Sequence, residues 1–155
     1  MPITIKELGR RLETAAVPFR GASVTLRALT AAQRLKIRQL MPPPIPPYME
    51  TPARGEPPIP DLNHAGYRDK SRNWSIEVAT VDVAFALELA TADGTACPPA
   101  GDPGFLAWAQ KAAVELRDNL TDSELAYLQE RLVRLENGEA GSAGPDPSSS
   151  PPARG

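Results

Sequence analysis

The chain has 155 residues, of which 41% are apolar but only 5% are aromatic, and its net charge is −2. This length suits one domain, or one domain with unstructured margins, whose core is built from Leu, Val and Ala. No apolar run approaches the roughly 20 residues that a membrane helix needs, and charged and apolar residues alternate too quickly at the start for a signal peptide. The single cysteine allows no internal disulfide, so we expect a soluble, intracellular protein without membrane contact.

The charge is unevenly distributed. Residues 1–40 hold eight basic and two acidic residues, a net charge of +6, whereas residues 73–155 hold five basic and thirteen acidic residues, a net charge of −8. A basic end of this kind is typical of nucleic-acid-binding proteins. The same distribution also predicts attraction between the two parts of the chain, or between neighbouring copies. We favour attraction, because the basic part offers only Phe19 as a stacking aromatic.

The first elements are predicted by local signals. Thr4-Ile-Lys-Glu7 matches a capping box and predicts a short amphipathic helix over about 4–13. The alternation in VPFRGASVTLRAL then predicts two short strands, with a turn at Arg20-Gly21.

The next helix and the segment after it are defined by prolines. Thr30-Ala-Ala-Gln33 is a second capping box, and its helix must end at Met41 because three prolines follow. Residues 42–60 have neither helical nor strand periodicity, which favours an extended, semi-rigid spacer. Two minimal PxxP matches within LMPPPIPPY leave docking to a partner as the alternative. We favour a connector, because any run of prolines produces such matches.

A central helix is predicted by two apolar faces. One stripe, spaced by three and four residues, consists of Trp74, Val78, Val81, Phe85 and Leu89. The other face consists of Ile76, Ala79, Val83, Ala86, Leu87 and Ala90. A helix that is apolar on two faces is usually packed on both, so we place it at the centre of the fold. Because Arg68, Lys70 and Arg72 would oppose the positive end of the helix dipole, we expect it to start near Ser71.

Two further helices follow a loop. Asp102, with Pro103 in the first turn, predicts the start of one helix. Its buried stripe consists of Leu106, Ala109, Ala113, Leu116 and Leu120. Thr121-Asp-Ser-Glu124 is a third capping box and begins a closing helix. Residues 137–155 lack any apolar period and are expected to be disordered.

We therefore predict a mainly α fold, a small helical domain with a short N-terminal β-hairpin, a proline-rich connector and a disordered C-terminal tail. Its parts are a helix, hairpin and helix over residues 1–41, the connector over 42–63, a helical core over 64–136 and the tail over 137–155.

The chemistry-bearing residues do not predict an enzyme. One histidine and one cysteine nearly exclude a zinc site, and the glycines are too scattered for a phosphate loop. His64 is expected to be a solvated loop residue and Cys97, without a basic neighbour, an inert thiol. Glu77, Asp82 and Glu88 border the central helix and are expected in a solvated seam rather than as an acid–base pair. We expect no catalytic residue, no metal and no cofactor.

Three segments together resemble the tail assembly chaperones of tailed phages. They are VTLRALTAAQRLKIRQL at 24–40, VATVDVAFALELA at 78–90 and LTDSELAYLQERLVRL at 120–135. In those small, mainly α-helical proteins, a strand of this pattern feeds a capped helix and precedes an apolar helix and a closing leucine-rich helix. The prolines at 42–60 depart from that pattern.

The resemblance implies binding without catalysis. Such chaperones are thought to coat the tape-measure protein in the host cytoplasm until subunits of the major tail (tube) protein polymerise around it. Partners would thus be these two proteins, with self-association as a further option and nucleic acid not expected. The alternatives are another phage structural or adaptor protein, or a small nucleic-acid-binding regulator that uses the basic N-terminal part.

The candidate partner-binding residues lie on the closing helix. Leu125, Leu128, Leu132 and Leu135 form a narrow seam of the kind along which helices pair. The alternative is that this seam packs inside the fold, on the helix over 106–120.

Overall fold

A computed structural model of the chain describes residues 2, 4, 5, 14–49 and 55–138. Within these ranges, the chain forms one antiparallel hairpin followed by four helices, which confirms the mainly α fold. The strands are β1 (Thr14–Phe19) and β2 (Ala22–Arg27). The helices are α1 (Ala31–Leu40), α2 (Ala65–Ala86), α3 (Phe105–Asn119) and α4 (Asp122–Glu136). Most of the helix predicted over 4–13, and the tail from residue 139 onward, lie outside the described residues.

The hairpin forms at the predicted turn. Arg20 and Gly21 both have positive φ, at 49° and 78°, which is the left-handed backbone that a two-residue hairpin loop requires. Phe19 pairs with Ala22 directly across this turn. One face of the hairpin packs on the core, where Val17 and Leu26 are buried, and the opposite face is exposed.

Helix α1 begins and ends where the sequence predicts. The Thr30 hydroxyl accepts a hydrogen bond from the Gln33 N–H, and the Gln33 side chain accepts one from the Thr30 N–H. At the other end, Met41 donates its N–H to the Ile37 carbonyl at 2.9 Å before the prolines begin. The Trp74 indole then donates to the Met41 carbonyl at 2.8 Å and ties this end of α1 to α2.

Helix α2 starts earlier than predicted. It begins at Ala65, because the imidazole Nδ1 of His64 accepts the Tyr67 N–H at 3.3 Å and caps the helix. The prediction of a start near Ser71 is wrong. The basic residues of the first turns are exposed, so water screens their unfavourable interaction with the helix dipole.

The second half of α2 forms the centre of the fold. Buried residues begin at Val78, and α2 contacts the other three helices and β2. Ile76, predicted to lie on the second apolar face, is instead 47% exposed. Asp82 is only 4% exposed, so the prediction that it lies in a solvated seam is wrong. The helix ends at Ala86, and Leu89 packs on the core from beyond its end.

Helix α3 starts later than predicted, at Phe105. The Asp102 carboxylate accepts the Gly104 N–H at 2.8 Å, so Asp102 closes a turn before the helix instead of capping it. Leu106 and Leu120 are only half-buried. The aromatic rings of Phe105 and Trp108 are buried, and their centroids lie 5.6 Å apart.

Helix α4 has the predicted capping box. The Thr121 hydroxyl accepts the Glu124 N–H at 3.2 Å, and the Glu124 carboxylate accepts the Thr121 N–H at 3.0 Å. The helix packs on α2 and contacts β1. Its C-cap is Asn137, and Gly138 follows with a positive φ of 80°.

Candidate functional site

Four described arginines of the N-terminal part pair with acidic residues of other elements. Arg34 and Arg38, both on α1, lie 2.9 and 2.8 Å from the Asp82 carboxylate on α2. Arg34 also pairs with Glu136 at the end of α4. Two arginines of α1 are thereby joined to α2 through Asp82, and Arg34 is also joined to α4 through Glu136.

Ion pairs also hold the hairpin to the helical part of the fold. Arg20 donates to both carboxylate oxygens of Glu124 at 2.6 and 2.8 Å, and Arg27 pairs with Glu88 at 2.8 Å. The Arg20 guanidinium and the capping hydrogen bond from Thr121 lower the pKa of Glu124 to about 2. Arg20, Arg27, Arg34 and Arg38 therefore all pair with acids of the C-terminal part. This confirms the predicted attraction between the two parts of the chain for these residues.

The predicted partner-binding seam lies in the core. Leu125, Leu128, Leu132 and Leu135 are each at most 7% exposed. They face into the fold from α4, which packs on α2 rather than mainly on α3. A partner could contact these leucines only if α4 moved away from α2.

The structure places His64 at a helix cap and Cys97 in a half-buried position. His64 is exposed, as predicted, but caps α2 rather than lying in a loop. Burial, and then the nearby Glu88 carboxylate, raise the pKa of the Cys97 thiol to about 11, so the thiol stays protonated at neutral pH. Among the described residues, no group of three or more His, Cys, Asp or Glu side chains could hold a metal ion.

The proline-rich connector folds back on itself. The Met49 N–H donates to the Ile59 carbonyl at 2.8 Å, and the Asp61 N–H donates to the Pro47 carbonyl at 2.7 Å. An isolated bridge pairs Tyr48 with Pro60 between these two bonds. We call the described residues 42–49 and 55–63 the connector arm.

The connector arm carries half of the exposed large apolar residues of the described chain. Ten large apolar residues are exposed in the described residues, and five of them lie on this arm. They are Ile45 at 85%, Tyr48 at 61%, Met49 at 47%, Ile59 at 53% and Leu62 at 60% exposed. Clustered exposed apolar side chains are typical of protein interaction sites. The sequence contained these residues, but no local pattern predicted the fold-back that brings the two halves of the arm together.

A small cavity lies where the arm meets the start of α2. Its volume is about 220 Å³, and Ile45, Pro47 and Tyr67 contribute to its lining together with Lys70. An apolar side chain of a partner fits the chemistry of this lining, with the ammonium group available to a neighbouring carboxylate.

A second concave surface runs along α3. This cleft has a volume of about 730 Å³ and is lined in part by Ala107, Trp108 and Val114. The ion pair between Lys111 and Asp93 lies at the cleft, and the hydrogen bond from Lys111 lowers the pKa of Asp93. The cleft is open and carries no buried polar group without a partner.

Comparison with family models, with curated proteins and with solved structures found no match for this chain. Within the described ranges, none of the helices has both the length and the apolar character to cross a bilayer.

Proposed function

We propose that this chain is a non-enzymatic tail assembly chaperone that binds the tape-measure protein and tail-tube subunits in the host cytoplasm during phage tail morphogenesis. The observation that carries the proposal is the connector arm, whose five apolar side chains are between 47% and 85% exposed. In this proposal the arm, rather than the leucine seam of α4, contacts the client.

The arm suits a client that presents long apolar helices. Each apolar side chain that moves fully from water into an interface contributes about 1.5–3 kcal/mol, and about 25 cal/mol per Å² of apolar surface in general. Five side chains that start about half to four-fifths exposed would contribute a gross total of about 5–9 kcal/mol. Association costs about 4–15 kcal/mol in lost motion, so the arm alone supports weak, reversible binding. Reversibility is what a chaperone needs if tube subunits are to displace it.

The resemblance supports the proposal through the way its segments pack. Segment 24–40 covers most of β2 and all of α1, segment 78–90 covers the buried half of α2, and segment 120–135 covers most of α4. Both α1 and α4 contact α2. The arm lies in the part of the chain that departs from the resemblance, so contact through the arm would be a feature of this chain.

The proposal is tested by co-expressing the chain with the tape-measure protein encoded in the same genome. The arm variant combines Ile45→Ser, Tyr48→Ser and Ile59→Ser. The control variant combines Leu35→Ser on α1 with Val133→Ser on α4, which are 60% and 54% exposed and lie outside the arm. Both variants should melt within a few degrees of the original chain, because all five side chains are already largely in water.

The expected result is that the original chain and the control variant co-purify with the tape-measure protein, whereas the arm variant does not. If the arm variant binds as well as the control, the arm is only a connector and the client contacts another surface. If the original chain itself does not bind the tape-measure protein, the chaperone function is wrong.

A further inference from the structure

The two strands of the hairpin have different outer edges. In an antiparallel pair, residues alternate between sites whose backbone groups bond across the pair and sites whose groups point away. Pro18 has no N–H, and proline in a strand is confined to sites that face away from the neighbouring strand. Ser23 pairs with Pro18, so the backbone N–H and carbonyl of Ser23 also point away from the hairpin. Because the direction alternates along a strand, the backbone groups of Thr25 and Arg27 point outward as well.

The outer edge of β1 is partly blocked. Pro18 removes one donor from that edge, and its carbonyl accepts a hydrogen bond from the Tyr127 hydroxyl of α4 at 2.8 Å. Proteins protect exposed sheet edges in this way, with proline or with a covering element.

The outer edge of β2 has no such protection. Ser23, Thr25 and Arg27 are exposed, and their stretch of strand contains no proline, lysine or bulge. None of the backbone hydrogen bonds outside the hairpin ladder, among the described residues, uses the N–H or carbonyl groups of these three residues. Three consecutive outward sites therefore remain available to another strand.

We propose that β2 pairs antiparallel with β2 of a second copy of this chain, giving a four-stranded sheet across a two-fold axis at Thr25. In this register Thr25 faces Thr25 of the second copy, and Ser23 faces Arg27 of the second copy. Three outward sites on each strand, each exchanging two hydrogen bonds, give about six bonds across the axis.

A second copy is the occupant that the side chains favour. Threonine pairs directly across strands stabilise a sheet, whereas like charges that face each other destabilise it. The only charged residue on this edge is Arg27, and the two copies of it would lie about 13 Å apart along the strands, given a rise of about 3.3 Å per residue. Each Arg27 is also paired with Glu88 of its own chain at 2.8 Å. The outward backbone groups of the edge are therefore complementary to those of a second copy, and Arg27 does not oppose the pairing.

The first experiment compares one added charge on the two edges. Thr25→Lys places like charges opposite each other across the proposed axis. Ala16→Lys is the matched control, because Ala16 is exposed and pairs with Thr25 at the same level of the hairpin, but lies on β1. Sedimentation at increasing concentration should give a dimer for the original chain and for Ala16→Lys. For Thr25→Lys the dimer should be at least tenfold weaker, with circular dichroism and the melting temperature showing that the fold is intact.

The second experiment traps the proposed register. Residues that exchange hydrogen bonds across antiparallel strands have Cα atoms about 5.5 Å apart, which is within the range of a disulfide. Thr25→Cys, in a Cys97→Ser background, should therefore oxidise to a covalent dimer, whereas Ala16→Cys in the same background should form no covalent dimer. The amide hydrogens of Ser23, Thr25 and Arg27 should exchange more slowly as the concentration rises.

The proposal is overturned if the original chain stays monomeric at high micromolar concentration. That outcome overturns it even if the edge of β2 binds an extended segment of a different protein. It is also overturned if Thr25→Lys dimerises normally, or if Ala16→Cys crosslinks as readily as Thr25→Cys. Neither experiment uses a client protein, so their failure would leave the chaperone proposal untouched.

Discussion

Arg38 holds both carboxylate oxygens of Asp82, with its two terminal nitrogens at 3.1 and 2.8 Å. The Asp82 side chain is 6% exposed, and the Arg38 side chain is 31% exposed. A buried carboxylate on the central helix is therefore neutralised by cations that approach from α1. The uneven charge of the sequence has a structural use here, because the basic N-terminal part supplies the partners that an acidic residue of the core requires.

Replacing Asp82 with asparagine should lower the free energy of unfolding by about 2–4 kcal/mol. Removing one partner of a buried ion pair costs about 3–5 kcal/mol, and the partly exposed arginines can recover some of this through water. Urea unfolding at neutral pH measures the change. Glu130→Gln is the control, since its ion pair with Arg134 lies at the surface and should change stability by less than about 0.5 kcal/mol. Equal stability of Asp82→Asn and the original chain would contradict a structural role for the buried pair.

The ion pair between Arg20 and Glu124 should make stability depend on pH. Arg20 and the Thr121 N–H lower the pKa of Glu124 from 4.5 to about 2 in the folded chain. Because the folded value lies below the unfolded value, this contribution is complete above about pH 4.5 and is lost as the pH falls through 2.

The matched variant is Glu124→Gln, which removes the charge while glutamine can still form the capping box with Thr121. At pH 5 the original chain should have a higher urea midpoint than Glu124→Gln. The two midpoints should become equal as the pH falls towards 2. A difference that stays constant over this range would mean that the charge of Glu124 does not contribute.

Elements with short-range signals were predictable from the sequence. The capping boxes at Thr30 and Thr121 and the turn at Arg20-Gly21 each depend on residues at most three positions apart. Each of these features is present in the structure. The start of α2 was missed because His64 caps it with a ring nitrogen, whereas the usual capping side chains are Ser, Thr, Asp and Asn.

The parts that sequence did not reveal depend on long-range packing. Asp82 looked like a solvated border residue, because its arginine partners lie 44 and 48 residues away in the sequence. The leucine seam of α4 has the same pattern whether it packs on α2 or on a partner, so periodicity could not decide between them. The fold-back of the connector arm depends on the bridge between Tyr48 and Pro60, which no local pattern specifies.

Truncating the leucine seam should destabilise the fold. Leu128 is 1% exposed, and leucine-to-alanine substitutions at buried sites cost about 2–5 kcal/mol through lost transfer energy and the remaining cavity. We expect Leu128→Ala to lower the urea midpoint by a corresponding amount. Val133→Ala, on the same helix but 54% exposed, should leave the midpoint almost unchanged. If Leu128→Ala were as stable as the original chain, α4 would not be firmly packed on α2. The leucine seam would then be a candidate binding surface for a partner.

The last prediction concerns the end of α2, where Glu88 has a positive φ of 52°. The Glu88 N–H donates to the Phe85 carbonyl at 3.1 Å, and the Leu89 N–H donates to the Ala84 carbonyl at 3.2 Å. These two bonds form the Schellman motif that ends many helices, in which glycine usually occupies the position of Glu88. A left-handed backbone costs a residue with a side chain about 1–2 kcal/mol relative to its ordinary conformation, and glycine avoids that cost.

The carboxylate of Glu88 offsets only part of this cost. Its ion pair with Arg27 joins side chains that are 55% and 57% exposed, and such surface pairs contribute about 0–1 kcal/mol. Relief of the strain minus loss of the ion pair gives a net gain of about 0–2 kcal/mol. Glu88→Gly should therefore unfold at the same temperature or up to about 8 °C higher, since 1 kcal/mol corresponds to about 2–4 °C at this chain length. Glu88→Ala loses the ion pair and keeps the strained backbone, so it should unfold at a lower temperature than either protein. Thermal melts of the three proteins at neutral pH give the order directly. If Glu88→Ala were the most stable of them, the end of α2 would not adopt the left-handed conformation in solution.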